Sequence, residues 1–151
     1  TRRQRQMCIR DSITAGPDLV FQLAKIIDNI QICAPRTVQH ALAPMIDKLA
    51  DWRHENRQRI AARVSVFRHA LNQLNGWDLL SSGAYFGFVR HPYSGVDSLE
   101  VAQIMARKAG VLVIPGTFFG DGQDAMLRFA FANAGRDVIA KLPDRLNNLT
   151  V

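Results

Sequence analysis

The stretch Val111–Asn133, VLVIPGTFFGDGQDAMLRFAFAN, constrains the fold more than any other part of the chain. Val111 to Ile114 is a short, largely β-branched apolar run that Pro115-Gly116 closes. A glycine-rich turn comes next. Beyond it, Leu127, Phe129 and Phe131 alternate with Met126, Arg128, Ala130 and Ala132. A period of two puts the large apolar residues on one face of a strand. The segment therefore reads strand, turn, strand, with one face committed to a core. The other face carries Arg128 with Ala130 and Ala132 beside it. Small neighbours leave room for a ligand to reach the guanidinium. Its planar fork suits a carboxylate, held by two parallel charge-assisted hydrogen bonds. The same pattern equally fits an arginine on a solvated sheet face, since antiparallel sheets often have one wet side.

The elements around this stretch are read from local signals. Pro17 and Asp18 mark a helix start, and Val20, Phe21, Leu23, Ala24, Ile27 and Ile30 recur at helical spacing. Residues 17–30 are expected to be a buried amphipathic helix, broken at Ala34-Pro35. Thr37 is placed to cap a short helix through Leu42. Pro44 then opens the longest element, with Met45, Leu49, Trp52, Ile60, Val64, Phe67, Leu71 and Leu74 at spacings of three, four or their multiples. Asn75-Gly76 closes it. Such a helix, roughly 45 Å long, is expected to bridge two bodies or to meet a partner chain.

From Gly83 the order changes to strand, helix, strand, strand, helix. Ala84 to Val89 reads as a strand ending at His91-Pro92, with Gly87 marking a bulge or a close backbone approach. Asp97 with Glu100 starts a helix over 98–108, and Gly110 stops it. A last helix begins near Arg136 and is interrupted at Pro143. The fold class is α+β: a three- to four-stranded, mostly antiparallel sheet with helices on one face.

Charge and motifs narrow the function mainly by exclusion. The 151 residues carry a formal charge of +6, but Thr1–Ser12 alone holds four arginines against one aspartate. That segment differs from the rest of the chain, as a basic arm or as a junction foreign to the domain. Arg53, His54, Arg57, Arg59 and Arg63 lie along the long helix without interleaved aromatics, so they read as a solvated face and not as a nucleic-acid stripe. No apolar run is long enough for a membrane span, and the N-terminus lacks the apolar core of a secretory signal. A cytoplasmic protein with no nucleic-acid or membrane partner is expected, and Cys8 and Cys33 suit such a compartment. The four histidines have no metal-ligand spacing, so no metal is expected. Gly116–Gly122 is rich in glycine but lacks the Gly-Lys-Ser/Thr ending of a phosphate loop, and reads as a mobile loop that touches a ligand.

Several spaced motifs, in order, carry a resemblance: IQICAPRTVQHAL, the long helix, SSGAYFGFVRHP, AGVLVIPG and MLRFAFAN. Over about residues 13–146 the chain resembles the C-terminal part of class I/II aminotransferases, the fold type I pyridoxal-phosphate (PLP) enzymes related to aspartate aminotransferase. The resemblance implies a division of the chain: 1–12 unmatched, 13–43 the tail of the PLP-binding large domain, 44–76 the interdomain helix, 77–151 the small substrate-clamping domain.

It also implies a function: amino transfer from an amino acid to a 2-oxo acid, in a homodimer. By its place in the strand motif, Arg128 would bind the substrate α-carboxylate and orient the α C–H bond toward the cofactor. The family's Schiff-base lysine would fall near Thr1. Lys25, Lys48, Lys108 and Lys141 all lie on expected helices outside that context, and the neighbours of Arg10 do not match the family's phosphate-binding arginine. No catalytic residue is therefore assigned within this chain, which is expected to be a fragment, inactive alone, with PLP held mainly elsewhere. The alternatives are another fold type I activity (a decarboxylase or a carbon–sulfur lyase), the aminotransferase-like effector domain of a transcriptional regulator, or a stand-alone interaction domain.

Overall fold

Phe67 sits at the centre of the core, 1% exposed, with its ring centroid 5.6 Å from that of Phe129 and 5.5 Å from that of Phe131. The surrounding architecture comes from a computed structural model that describes residues 15–30 and 35–150. Residues 1–12, with Cys8 and Arg10, and Cys33 lie outside the described residues. The chain divides into two units, Thr1–Ala50 and Asp51–Val151.

The first unit is helical. Helix α1, Pro17–Ile30, forms where the proline and Asp18 predict it. Its expected burial is not observed: no residue of α1 is buried, and Phe21 is 61% exposed. An apolar stripe states which face of a helix needs a partner but does not supply one. Helix α2 is Arg36–Leu42. It starts one residue before Thr37, which therefore lies inside it, and no side chain caps it. Two 3-10 turns come next, Ala43–Met45 and Asp47–Leu49. The element expected over 44–76 thus holds a shorter regular helix, α3, Ala50–Asn72, about 35 Å long. Pro44 cannot donate an amide hydrogen bond, and three-residue closures such as Ala50 N–H to Asp47 C=O carry the chain into α3.

Only the C-terminal half of α3 joins the core of the second unit. Phe67, Ala70 and Leu71 are buried, with Ile60 and Val64 packed against the cluster, whereas Trp52 is exposed. Gly76, at φ +78°, turns the chain into the sheet.

The sheet has four antiparallel strands in the order β1-β2-β4-β3: β1 Asp78–Gly83, β2 Phe86–Arg90, β3 Ile114–Pro115 and β4 Met126–Phe129. The reading from Gly83 onward missed β1, because Asp78–Gly83 has no apolar alternation of its own. The first expected strand, 84–89, is present as β2, the second arm of a hairpin that turns at Ala84 with φ +46°. The irregularity in the sheet lies between Leu79 and Ser81 of β1, not at Gly87. The run expected over Val111–Ile114 pairs only at Ile114–Pro115.

Gly87 serves the close approach. A Cβ there would meet the Phe67 ring, 3.0 Å from Cζ, and Leu79 Cδ1 at 3.4 Å. Gly87→Ala is therefore expected to lower stability by about 1–3 kcal/mol through overpacking. The double variant Gly87→Ala/Phe67→Leu should lose less than the sum of the two single changes in urea unfolding. Strict additivity would show that the two sites do not meet.

Helix α4, Ser98–Ile104, starts as predicted: the Asp97 carboxylate accepts from Leu99 N–H at 2.6 Å. It continues as a π-helical turn, Met105–Ala109, and stops at Gly110 in the left-handed region, φ +63°. Helices α5, Arg136–Ala140, and α6, Leu142–Leu146, are separated at Lys141 beside Pro143. Val101, Met105, Ile139, Leu142 and Leu146 complete the core. No helix among the described residues is long and apolar enough to cross a membrane.

Candidate functional site

Arg128 lies on β4, between two neighbouring strands. It is directly opposite Phe88 of β2 on one side and Ile114 of β3 on the other. Leu127 and Phe129, the adjacent residues in sequence, are buried on the core face, so Arg128 points to the opposite face. The alternation thus orients this side chain as expected.

Its surroundings are different from those expected. The strand ends at Phe129, and Ala130 departs from it at φ −105°, ψ 76°, so the two alanines do not continue the Arg128 row. Aromatic rings take their place. The guanidinium carbon lies 4.3 Å from the Phe86 centroid and 4.4 Å from that of Phe119. Phe119 in turn meets Phe88 edge-on at 6.3 Å, and Phe86 meets Tyr85 edge-on at 6.5 Å. A guanidinium over aromatic faces gains about 0.5–2 kcal/mol per contact and is held in a restricted orientation.

The loop that brings Phe119 over Arg128 is pinned where it starts. Gly116–Phe119, the first part of the expected loop, forms a 3-10 turn. A Cβ on Gly116 would stand 2.6 Å from Met126 Cβ and 2.7 Å from the Met126 carbonyl oxygen, so only glycine fits there. Thr117 N–H donates to Ser98 Oγ at 3.4 Å, and the two hydroxyls lie 3.3 Å apart. Ser98 is fully buried at the start of α4. Phe118 and Phe119 remain exposed at the rim.

Among the described residues no acceptor reaches the Arg128 guanidinium, and the ion pair present, Arg90–Asp78 at 3.7 Å, is exposed and on another part of the sheet. This half-buried cation has aromatic contacts and no anionic partner among the described residues. An apolar rim also limits the water that competes for the guanidinium, which strengthens an ion pair made there. The Phe86 and Phe119 contacts were hidden in the sequence. Only strand pairing and the return of the 116–119 turn bring them to Arg128.

The other sequence candidates have structural roles. His91 ends β2 as expected and is 4% exposed. Its Nδ1 accepts from Tyr93 N–H and its Nε2 lies 3.3 Å from the Asp124 carbonyl oxygen, so one neutral tautomer satisfies both ring nitrogens. Burial holds its pKa below the usual 6.5, against smaller opposing effects of the Asp124 carbonyl and the Asp97 charge. A histidine with a lowered folded pKa contributes stability that is present above its unfolded pKa. That contribution is lost as pH falls from about 6.5 toward the folded value. Urea unfolding should therefore show lower stability at pH 5 than at pH 7, with a shallower decline in His91→Asn. Equal pH dependence in the two proteins would exclude His91 as the source. Among the described residues no group of three His, Cys, Asp or Glu side chains is placed to hold a metal ion.

Two of the described lysines make local contacts. Lys108 Nζ donates to the Thr150 carbonyl at 3.0 Å, and Lys25 lies over its neighbour Phe21 and donates to Gln22.

Known proteins resemble this chain over most of its length. Residues 10–146 match the family described as aminotransferase class I and II. The chain is 27% identical over 123 residues to an aromatic-amino-acid aminotransferase of Thermococcus litoralis, covering 80% of this chain and 32% of that protein. It is 27% identical over 104 residues to the aspartate aminotransferase of Pyrococcus abyssi, covering 68% and 27%. The crystal structure of a putative aminotransferase from Silicibacter pomeroyi superposes with a TM-score of 0.66 at 27% identity, covering 89% of this chain and 36% of that one. The chain thus spans about a third of the length of the curated relatives it matches.

Proposed function

We propose, from the premise that this chain belongs to the class I and II aminotransferase family, that it contributes the substrate-carboxylate clamp of a PLP-dependent aminotransferase. The family implies the cofactor, and the named relatives are aminotransferases, which favours amino transfer over decarboxylation or carbon–sulfur cleavage. The substrates of such an enzyme are an amino acid and a 2-oxo acid, and the family reading carries with it a two-subunit assembly.

The observation that supports the clamp is Arg128 itself: half-buried, stacked on Phe86 and Phe119, and without an anionic partner among the described residues. When bound, PLP supplies the electron sink for chemistry at the substrate α-carbon. The chain's own residues do the positioning. Arg128 receives the carboxylate of either substrate in two parallel hydrogen bonds, and Phe86 and Phe119 hold the guanidinium and keep competing water away. Both substrates carry a carboxylate beside the reacting carbon, so one clamp serves both half-reactions.

The test is a comparison of Arg128 with Arg128→Lys in the complete enzyme, meaning this chain joined to the remaining length its relatives possess. Substrate and cofactor affinities are measured separately. Selective loss of carboxylate affinity supports the clamp, and unchanged affinity removes Arg128 from the role.

A further inference from the structure

Arg59, Arg63 and Arg136 line one cleft of about 310 Å³, together with Ala62 and with no acidic side chain. The three come from two parts of the chain. Arg59 and Arg63 are one turn apart on α3 and share a face. Arg136 opens α5 in the C-terminal segment. The grouping is held by a specific contact: Arg63 Nη1 donates to the carbonyl of Ala132, within the turn that leads to Arg136. Arg63 is thereby half-buried and oriented, which sets it apart from the solvated face that Arg53, His54, Arg57 and Arg59 form as expected. Arg59 and Arg136 have no acceptor among the described residues, and none of the three is in an ion pair there.

Three guanidinium groups around one cleft repel one another unless an anion joins them. Like charges one helical turn apart already cost a few tenths of a kcal/mol, and here a third is added. We propose that this cleft is a binding site for a phosphate dianion, either free phosphate or the terminal group of a phosphate monoester. A phosphate group offers three strong acceptor oxygens and close to two charges, so each guanidinium can take one oxygen. A carboxylate offers two oxygens and one charge, which leaves one arginine unmatched. The lining has no aromatic side chain on which a base could stack, so the cleft recognises the phosphate and not a nucleobase. The site does not include Arg128, and the inference stands independently of the carboxylate clamp.

The experiment is a calorimetric titration of the chain at constant ionic strength with inorganic phosphate, methyl phosphate, acetate and a short single-stranded oligonucleotide. Saturable one-to-one binding of phosphate or methyl phosphate is expected, at least tenfold tighter than acetate. The tighter of the two identifies free phosphate or the ester as the ligand form. Arg59→Gln and Arg136→Gln should each weaken binding by tenfold or more. Both residues are exposed, and an unchanged melting temperature without phosphate confirms that the variants fold. Arg128→Gln should bind phosphate as the parent chain does. The proposal is overturned by non-saturable heats, by acetate binding as tightly as phosphate, or by parental affinity in both variants. Binding of the oligonucleotide without binding of phosphate overturns it too and assigns the arginines to nucleic acid.

Discussion

Arg128→Lys in the complete enzyme lowers affinity for the amino acid, and kcat/KM with it, by about 10- to 100-fold, while PLP affinity changes less than twofold. The charge is kept, so the effect isolates geometry. A guanidinium meets a carboxylate with two parallel N–H donors in one plane, whereas an ammonium is a point charge that makes one such contact well. Losing one charge-assisted hydrogen bond costs about 1.5–3 kcal/mol, which is the stated range. Lysine also loses the contacts of the guanidinium with the Phe86 and Phe119 rings, at 4.3 and 4.4 Å, that hold the donor group in place. Spectroscopic titration of the cofactor and steady-state kinetics with one amino acid separate the two affinities. Parallel loss of both would mean that the change disturbs the fold instead of the clamp.

Phe67→Ala is expected to destabilise the second unit by about 3–5 kcal/mol, the range for removing a buried phenyl group. Phe67 is 1% exposed, touches the rings of Phe129 and Phe131, and covers Gly87. Its loss opens a cavity where α3 meets the sheet, and the backbones of β2 and β4 are tied together by pairing and cannot collapse into it. Against a typical domain stability of about 5–15 kcal/mol, the variant should be partly unfolded near physiological temperature. Urea unfolding followed through Trp77, whose ring centroid is 6.3 Å from that of Phe129, reports on this core. Phe21→Ala is the control: the same atoms leave an exposed face of α1, and a loss under about 1 kcal/mol is expected. A Phe67→Ala loss as small as the control's would overturn the assignment of Phe67 as the centre of the core.

Much of the fold is legible in the sequence because its signals are local. The Asp97 cap, the Gly110 stop and the break at Pro143 each act through a few bonds, and each appears where expected. Alternation through Leu127, Phe129 and Phe131 assigned the core face, and all three are buried, although Phe131 already lies in a 3-10 turn. The failures are equally physical. Strand β1 exists because β2 pairs with it, and Asp78–Gly83 carries no pattern to announce that. The amphipathic pattern of α1 predicts burial, but a pattern specifies a face and not a partner.

For the candidate site the division falls between one residue and its surroundings. The sequence by itself determined that Arg128 lies on a strand opposite a buried apolar row, because side-chain direction in a strand is set by chain order alone. It also carried the family motifs. Tertiary structure decided what the guanidinium meets: Phe86 from the neighbouring strand and Phe119 from the turn pinned by Gly116 and Ser98. It likewise gathered Arg136 beside Arg59 and Arg63. These groupings depend on register and loop return, which arise from non-local pairing and packing and leave no periodic trace along the chain.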